Sequence, residues 1–356
     1  MHTLNKQLAF LLLSVFLITT TGCKKDKDED GGGVTPTPDH VYVAGMYNRT
    51  VCYWKDNDST YTLLQESQRG CANAMYVSGT DVYVAGYLSG PAYQPSYWKN
   101  GSRTALPTIT GSGDGYANGI QVVGSDVYVS GYTVSANGDV PCYWKNGVRT
   151  DLTRLQSGKP GRAYGLMVLG SNIYLAGYTT DALDAKKPCY WKNDERIDLV
   201  SGNREYGEAR AIYVSDKAVY VAGFTKKNTD VAEVPCYWKD KSYVALNRVN
   251  NDYRGYALGV CVAGADVYIA GFTEGVDQTV PCYWKNGSRT DLSTVSPRVR
   301  GEANAVQVSG DGIYVAGTTY ADVDAGVPCY WKNGNRVDLI KPNTFAGVAT
   351  SIFVTK

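Results

Sequence analysis

The tripeptide Tyr-Trp-Lys occurs seven times in this chain of 356 residues, and it contains all seven of the tryptophans. Successive tryptophans lie 44, 46, 47, 47, 46 and 47 positions apart, from Trp54 to Trp331. A fixed period of this length is typical of stacked supersecondary units rather than of separate globular domains. The spacing therefore predicts seven copies of one small unit, which follow one another from about Val41 to the end of the chain.

Each copy divides into four short segments, which we name A, B, C and D. In the third copy, segment B places Val127 and Val129 on one face and Tyr128 and Ser130 on the other, which is the period of two expected of a β-strand. Asn-Gly joins C to D in four copies, and this dipeptide favours the type I′ turn of a β-hairpin. Four antiparallel strands in about 46 residues, without a helical period, predict one blade of a β-propeller.

The phase of the repeat predicts how the ring closes. The first copy begins with a B segment at 41–45, and the chain ends with an A segment at 349–354. The last segment can therefore complete the first blade, whereas an open stack would need polar caps at both ends. We predict an all-β fold over residues 40–356: a closed seven-bladed β-propeller with four antiparallel strands per blade.

The N-terminal residues predict export. Residues 1–22 combine Lys6 with an apolar run from Leu8 to Ile18, which is shorter than the roughly 20 residues that a membrane-spanning helix needs. The run ends at Thr-Gly-Cys, which resembles a bacterial lipobox, so we predict a signal peptide over 1–22 and lipidation of Cys23. Residues 23–39 are charged and then rich in Gly and Pro, and they predict a disordered tether.

Composition excludes several classes of function. The 35 basic and 34 acidic residues leave no basic surface for nucleic acid. The only histidines are His2 and His40, so Ser-His-Asp hydrolysis, Cys-His proteolysis and multi-His zinc sites are excluded. We expect no metal site and no cofactor.

Residues that recur in every copy are interpreted as structural. We expect the seven tryptophans to be core residues, because each would bury about 200 Å² of surface. Six C segments carry a cysteine at the same position, and equivalent positions on adjacent blades are about 10 Å apart, which is too far for a disulfide bond. We interpret these cysteines as free and buried, and the Arg and Asp residues of segment D as solvated edge pairs.

A binding site is expected where the copies differ. The A–B and C–D turns are short and uniform, whereas the D–A and B–C connections are longer and variable, and loops on a rigid scaffold often carry function. The starts of the A segments, near the mouth of the central channel, hold the candidate ligand-binding residues Tyr116, Arg162, Tyr164, Glu208, Arg210, Tyr256 and Glu302. The arginines suit a carboxylate, the tyrosines suit stacking on sugar or aromatic rings, and Glu208 with Glu302 is the one candidate pair of acids for glycosidase chemistry.

The recurrent motif Val-Tyr-Val-Ala-Gly-Tyr, followed by Pro-Cys-Tyr-Trp-Lys-Asn-Gly, resembles that of bacterial repeat-built seven-bladed propeller lipoproteins. It lacks the Gly-His and Trp-Asp marks of WD repeats and the double Gly of kelch repeats. The resemblance implies an exported, surface-exposed outer-membrane lipoprotein and identifies no catalytic residue. We expect a binding module for a glycan, peptide or protein, attached to the membrane through its lipid anchor and without catalysis. The alternatives are a glycoside hydrolase or lyase and a structural subunit of an outer-membrane complex.

Overall fold

The fold is all-β. A computed structural model describes residues 39–56, 60–64, 68–109, 113–199, 206–215, 217–227, 230–276, 278–296, 299–320, 326–340 and 346–356. Within these ranges, 28 strands form seven sheets of four antiparallel strands, and each sheet is one blade. The predicted signal peptide, the lipidation of Cys23 and the tether up to residue 38 lie outside the described residues, so they stay predictions.

The first four blades contain the following strands. Blade 1 contains β1 (His40–Tyr47), β2 (Thr50–Lys55) and β3 (Tyr61–Leu63). Blade 2 contains β4 (Arg69–Ser78), β5 (Asp81–Ser89), β6 (Tyr93–Lys99) and β7 (Ser102–Ala105). Blade 3 contains β8 (Gly115–Val123), β9 (Asp126–Ser135), β10 (Gly138–Lys145) and β11 (Val148–Asp151). Blade 4 contains β12 (Gly161–Leu169), β13 (Asn172–Thr180), β14 (Lys186–Lys192) and β15 (Glu195–Asp198).

The remaining strands complete the ring. Blade 5 contains β16 (Tyr206–Val214), β17 (Val219–Lys226), β18 (Val234–Lys239) and β19 (Ser242–Ala245). Blade 6 contains β20 (Gly255–Ala263), β21 (Asp266–Glu274), β22 (Thr279–Lys285) and β23 (Ser288–Asp291). Blade 7 contains β24 (Gly301–Ser309), β25 (Gly312–Tyr320), β26 (Gly326–Lys332) and β27 (Asn335–Asp338). The last strand is β28 (Gly347–Thr355).

The last strand closes the ring as the repeat phase predicts. β28 pairs antiparallel with β1, from His40 opposite Thr355 to Tyr47 opposite Gly347, and it is the innermost strand of blade 1. The innermost strands of the blades contact one another in sequence around the axis, and β28 contacts both β24 and β4. The predicted closed seven-bladed propeller is therefore confirmed.

Asp39 adds a second link across the closure. Its carboxylate accepts a hydrogen bond from the Tyr314 hydroxyl of blade 7 at 2.7 Å. In blade 2 the corresponding tyrosine, Tyr83, has its carboxylate partner in the A–B turn of its own blade, Asp81, at 3.5 Å. Blade 7 has Gly312 at that turn position, so Asp39 supplies the carboxylate that this blade lacks.

The two faces of the ring differ in the way that the turn lengths predict. The C–D turns are tight, and Asn146 and Gly147 have φ angles of 51° and 81°, as a type I′ turn requires. We call the face with the A–B and C–D turns the turn face, and the face with the B–C and D–A connections the loop face. β1 starts at the turn face, where His40 lies 3.0 Å from Asp56 of the C–D turn.

Tryptophan and cysteine form the core between blades. All seven tryptophans are fully buried, and the Trp144 indole N–H donates to the Pro107 carbonyl in the D–A connection before its blade, at 2.9 Å. The six C-strand cysteines are buried and free, and burial raises the pKa of the Cys142 thiol to about 12. Both predictions for these recurrent residues are therefore confirmed.

The interpretation of the D-strand pairs as solvated is wrong for the arginines. The side chain of Arg196 is only 7% exposed and that of its partner Asp198 is 66% exposed. The Arg196 Nε donates to the Thr179 hydroxyl of strand β13 at 2.9 Å, so the guanidinium lies across β14 instead of pointing into water. The long aliphatic part of an arginine can cover apolar surface, which sequence position alone does not reveal.

Candidate functional site

The seven innermost strands surround a channel on the axis of the ring. It forms a cavity of about 570 Å³, and every one of these strands contributes residues to its wall. The wall contains amide, hydroxyl, guanidinium and carboxyl groups beside aliphatic side chains. The channel can therefore offer a ligand both apolar and hydrogen-bonding contacts.

Each innermost strand contains a bulge immediately after its recurrent alanine. In blade 3, Asn118 is an extra residue between two consecutive pairs, Ala117 with Gly131 and Gly119 with Ser130. A Cβ on Gly131 would overlap a backbone carbonyl oxygen of β8, which explains why glycine recurs at this point of strand B. The residues that follow the alanine in the seven blades all line the channel: Asn73, Asn118, Tyr164, Arg210, Leu258, Asn304 and Thr350.

Four of these seven side chains link their blade to the next one. Each donates a hydrogen bond to the carbonyl oxygen of the recurrent alanine in the following blade. The bonds run from Asn73 to Ala117 at 2.9 Å, from Asn118 to Ala163 at 2.8 Å, from Asn304 to Ala349 at 2.8 Å and from Thr350 to Ala72 at 2.8 Å. We call this set the alanine bridges.

Blades 4, 5 and 6 depart from this pattern. Tyr164 donates its hydroxyl to Glu208 at 3.3 Å instead of to an alanine carbonyl. Arg210 points back towards blade 4, where its guanidinium carbon lies 4.3 Å from the centre of the Tyr164 ring. Leu258 has no polar side-chain atom. The channel therefore has a bridged half, formed by blades 7, 1, 2 and 3, and an unbridged half, formed by blades 4, 5 and 6.

Glu208 is the centre of a charged cluster on the unbridged half of the channel. Its side chain is only 4% exposed, and it lies 2.6 Å from the Lys186 ammonium and 3.0 Å from the Arg210 guanidinium. Together with the Tyr164 hydroxyl, three donors satisfy this carboxylate. Glu208 therefore positions Arg210 and Tyr164 and is not available as the second acid of a glycosidase pair.

Aromatic side chains form an arc at the loop-face end of the innermost strands. Tyr116 stacks on Tyr132 with ring centres 4.9 Å apart and on Tyr93 at 5.3 Å. The Arg162 guanidinium lies 4.4 Å from the Tyr132 ring and pairs with Asp139 at 2.6 Å. These contacts hold Tyr116 and Arg162 in fixed orientations.

Tyr256 continues the arc on blades 5 and 6. Its ring contacts Phe224 at 4.8 Å and Phe272 at 5.1 Å between centres, and burial raises the pKa of its hydroxyl to about 12. The tyrosine therefore stays a neutral hydrogen-bonding group at any physiological pH.

Glu302 differs from Glu208 in having no partner. It lines the channel on blade 7 beside Tyr320, and among the described residues its carboxyl takes part in no hydrogen bond or ion pair. Burial raises the pKa of this carboxyl, although the positive charge of Arg300 opposes the increase. Glu302 is therefore an incompletely satisfied acceptor in the channel wall.

The structure brings some candidate residues together and separates others. Tyr164, Glu208 and Arg210 form one cluster, Tyr116 and Arg162 belong to a neighbouring stack, and Glu302 lines the channel two blades beyond Glu208. Sequence analysis missed the partners Tyr93, Asp139 and Lys186, each of which lies in or beside a variable B–C connection. The only feature of the sequence that could have identified these three residues is their position in or beside a connection that varies between copies.

The described residues contain neither a cluster of metal ligands nor a membrane-spanning helix. Among them, no group of three or more His, Cys, Asp or Glu side chains is placed to share a metal ion. In the same part of the chain, no helix has the length and apolar character needed to cross a membrane.

Comparison with known proteins shows likeness at the level of the fold. No family model and no curated protein matches the chain. A polysaccharide lyase of family PL25, an ulvan lyase bound to a -[GlcA(1-4)Rha3S]- chain, is similar with a TM-score of 0.53 and 9% identity over 78% of this chain and 87% of that one. Pyrococcus horikoshii acylaminoacyl peptidase is similar with a TM-score of 0.51 and 9% identity over 85% of this chain and 51% of the peptidase. At these identities the comparisons support the propeller fold alone.

Proposed function

We propose that this protein is an exported, lipid-anchored binding module that holds a glycan at the loop-face end of its channel. The observation that carries the proposal is the loss of the alanine bridges at three consecutive blades, 4, 5 and 6. In the other four blades, the residue after the recurrent alanine forms a hydrogen bond that stabilises the contact with the next blade. Departure from a stabilising local rule, beside a cavity, is typical of a functional site.

The chemistry of the channel wall favours a sugar. Tyr164 and Tyr320 bring aromatic rings to the cavity, and Thr318 and Asn304 bring hydroxyl and amide groups. A sugar ring has an apolar face that packs on aromatic rings and hydroxyl groups that both donate and accept hydrogen bonds. The cavity volume of about 570 Å³ falls within the roughly 300–1,000 Å³ of small-molecule sites, so it suits a short stretch of glycan.

The start of the propeller supports a presentation role. Asp39 and His40 lie at the turn face, opposite the proposed glycan site. The 17 residues from Cys23 to Asp39 can extend over at most about 60 Å. Because the described chain starts at the turn face, its first residues do not obstruct the loop face, where we propose that the glycan binds.

The test is binding of the whole chain, solubilised in detergent, to a glycan array, followed by titration calorimetry with the glycans that bind. Tyr164→Ala and Arg210→Ala should each weaken binding at least tenfold. Arg103→Ala, which removes an exposed arginine from the outermost strand of blade 2, should change it less than twofold. The proposal is rejected if no glycan binds, or if both channel variants keep the affinity of the unmodified protein.

A further inference from the structure

On the side of the channel where the alanine bridges are absent, several carbonyl groups among the described residues receive no hydrogen bond from a side chain. In the bridged blades, the carbonyl oxygen of the recurrent alanine accepts from the side chain that follows the alanine of the preceding blade. Arg210 points away from Ala257, and Leu258 cannot donate to Ala303. Within the described residues, no side chain donates to either of these carbonyl groups.

Glu302 adds a charge to these acceptors. It directly precedes Ala303 on β24, and both its side chain and Leu258 line the same cavity. Its carboxyl has no hydrogen-bond or ion-pair partner among the described residues. The nearby Arg300 does not take this role, because its guanidinium lies over the Tyr320 ring, 5.4 Å from its centre. The wall at blades 6 and 7 thus contains a carboxyl group without a described partner. Ala257 and Ala303, whose carbonyl groups accept from no described side chain, directly precede the lining residues Leu258 and Asn304.

This arrangement has one natural chemical complement. An ammonium group carries a positive charge, three donors and no acceptor. A divalent metal ion fits less well, because such ions prefer several carboxylate ligands and Glu302 is alone. A neutral hydroxyl would bring a single donor and no positive charge to this half-buried carboxyl group.

We propose that Glu302, with the carbonyl oxygens of Ala257 and Ala303, forms a subsite for the ammonium group of an amino sugar. This inference rests on the proposed glycan-binding function and specifies its ligand class. The free amine of a glucosamine unit enters the acceptor-rich wall of blades 6 and 7, and the remaining sugar rings extend towards Tyr164. An N-acetylated unit loses the positive charge and two of the three donors, and it is disfavoured in this subsite.

The experiment compares two ligands that differ only in acetylation. Titration calorimetry measures the binding of glucosamine hexamer and of N-acetylglucosamine hexamer to the whole chain in detergent, at physiological salt. We expect the free-amine oligomer to bind at least tenfold more tightly. Glu302→Gln should reduce this preference to less than twofold, because the amide has nearly the shape of the carboxyl but no charge.

Two variants control for folding and for general charge effects. Glu195→Gln removes the same charge from an exposed position at the turn face and should keep the full preference. Leu258→Asn offers an amide donor to the Ala303 carbonyl, as in the bridged blades, and should also lower the preference. It provides an independent measurement of the subsite if Glu302→Gln does not fold.

The possible outcomes separate the two proposals. If the acetylated oligomer binds as tightly as the free amine, or if Glu302→Gln and Leu258→Asn keep the preference, the amino-sugar subsite is rejected and glycan binding stands. If neither oligomer binds, the subsite is also rejected, and the glycan array alone decides the proposed function.

Discussion

Replacing Gly271 by alanine tests whether the bulges and the tryptophan core depend on each other. Gly271 lies on β21, opposite the bulge of β20. A Cβ at this position would overlap the carbonyl oxygen of Tyr256 and would lie 3.0 Å from Cζ3 of Trp284. Because Trp284 is fully buried and the carbonyl belongs to a paired strand, neither neighbour has free space to move into.

The magnitude follows from the cost of overpacking. Extra carbon atoms in a well-packed core cost about 1–3 kcal/mol, and we expect the upper end here because one overlapped atom belongs to the backbone. A ring of roughly 320 residues has an unfolding entropy of about 0.7 kcal/mol/K near its melting temperature. A loss of about 3 kcal/mol therefore lowers Tm by about 4 to 5 °C.

The assay is thermal unfolding followed by calorimetry and by tryptophan fluorescence. The matched control is Gly275→Ala in the same blade, where a Cβ would meet nothing closer than 3.7 Å. It should be neutral or stabilising by up to about 1 kcal/mol. Gly317→Ala should repeat the loss in blade 7, since its Cβ would lie 2.8 Å from Cζ3 of Trp331. A Tm for Gly271→Ala within about 1 °C of the control would refute the reasoning.

Three other predictions concern the bridges, the closure and the thiols. Leu258→Asn should raise the free energy of unfolding by about 1 kcal/mol, measured by denaturant titration, because it restores a bridge to Ala303. Asp39→Asn should lower Tm at neutral pH, and this difference should shrink as pH falls below the unfolded-state pKa of about 3.9. The reason is that the hydrogen bond from Tyr314 lowers the pKa of Asp39, so the stabilisation is present above the unfolded pKa and is lost as pH falls through the folded one. The Cys142 thiol should react with Ellman's reagent only after unfolding, because burial raises its pKa to about 12; rapid reaction in the folded protein would contradict its burial.

The fold was predictable because each of its determinants is local and repeated. Alternation in segment B and Asn-Gly at the C–D turn each identify a hairpin without reference to distant residues. Closure was predictable because the first copy lacks an A segment and the last copy supplies one. The bulges were missed, although Gly131 and its counterparts recur, because a glycine in a strand does not say which neighbouring strand contains the extra residue.

The site was only partly predictable, because its orientation depends on residues far apart in sequence. Arg210 and Tyr164 were expected near the channel mouth, and they line it. The direction of Arg210 follows from Glu208, and Glu208 is in turn paired with Lys186, which lies beside a loop that differs between copies. The burial of Arg196 was mispredicted for a related reason: its guanidinium donates to a threonine two strands away.

Chain connectivity explains why the departures lie far from the closure. The ring is held shut by the non-covalent pairing of β28 with β1, and the links around it are complete: Asn304 bridges blade 7 to blade 1, and Thr350 bridges blade 1 to blade 2. Gln307 adds two hydrogen bonds to the backbone of Val354, at 3.1 and 2.9 Å. Blades 4 to 6, like blades 2, 3 and 7, are each joined covalently to both neighbours, and all four strands of each blade are consecutive in the chain. Losing a bridge there weakens one interface, whereas losing one at the closure weakens the contact that keeps the ring from opening. Substitutions that create a binding site but remove a bridge therefore endanger the fold least in the blades opposite the closure.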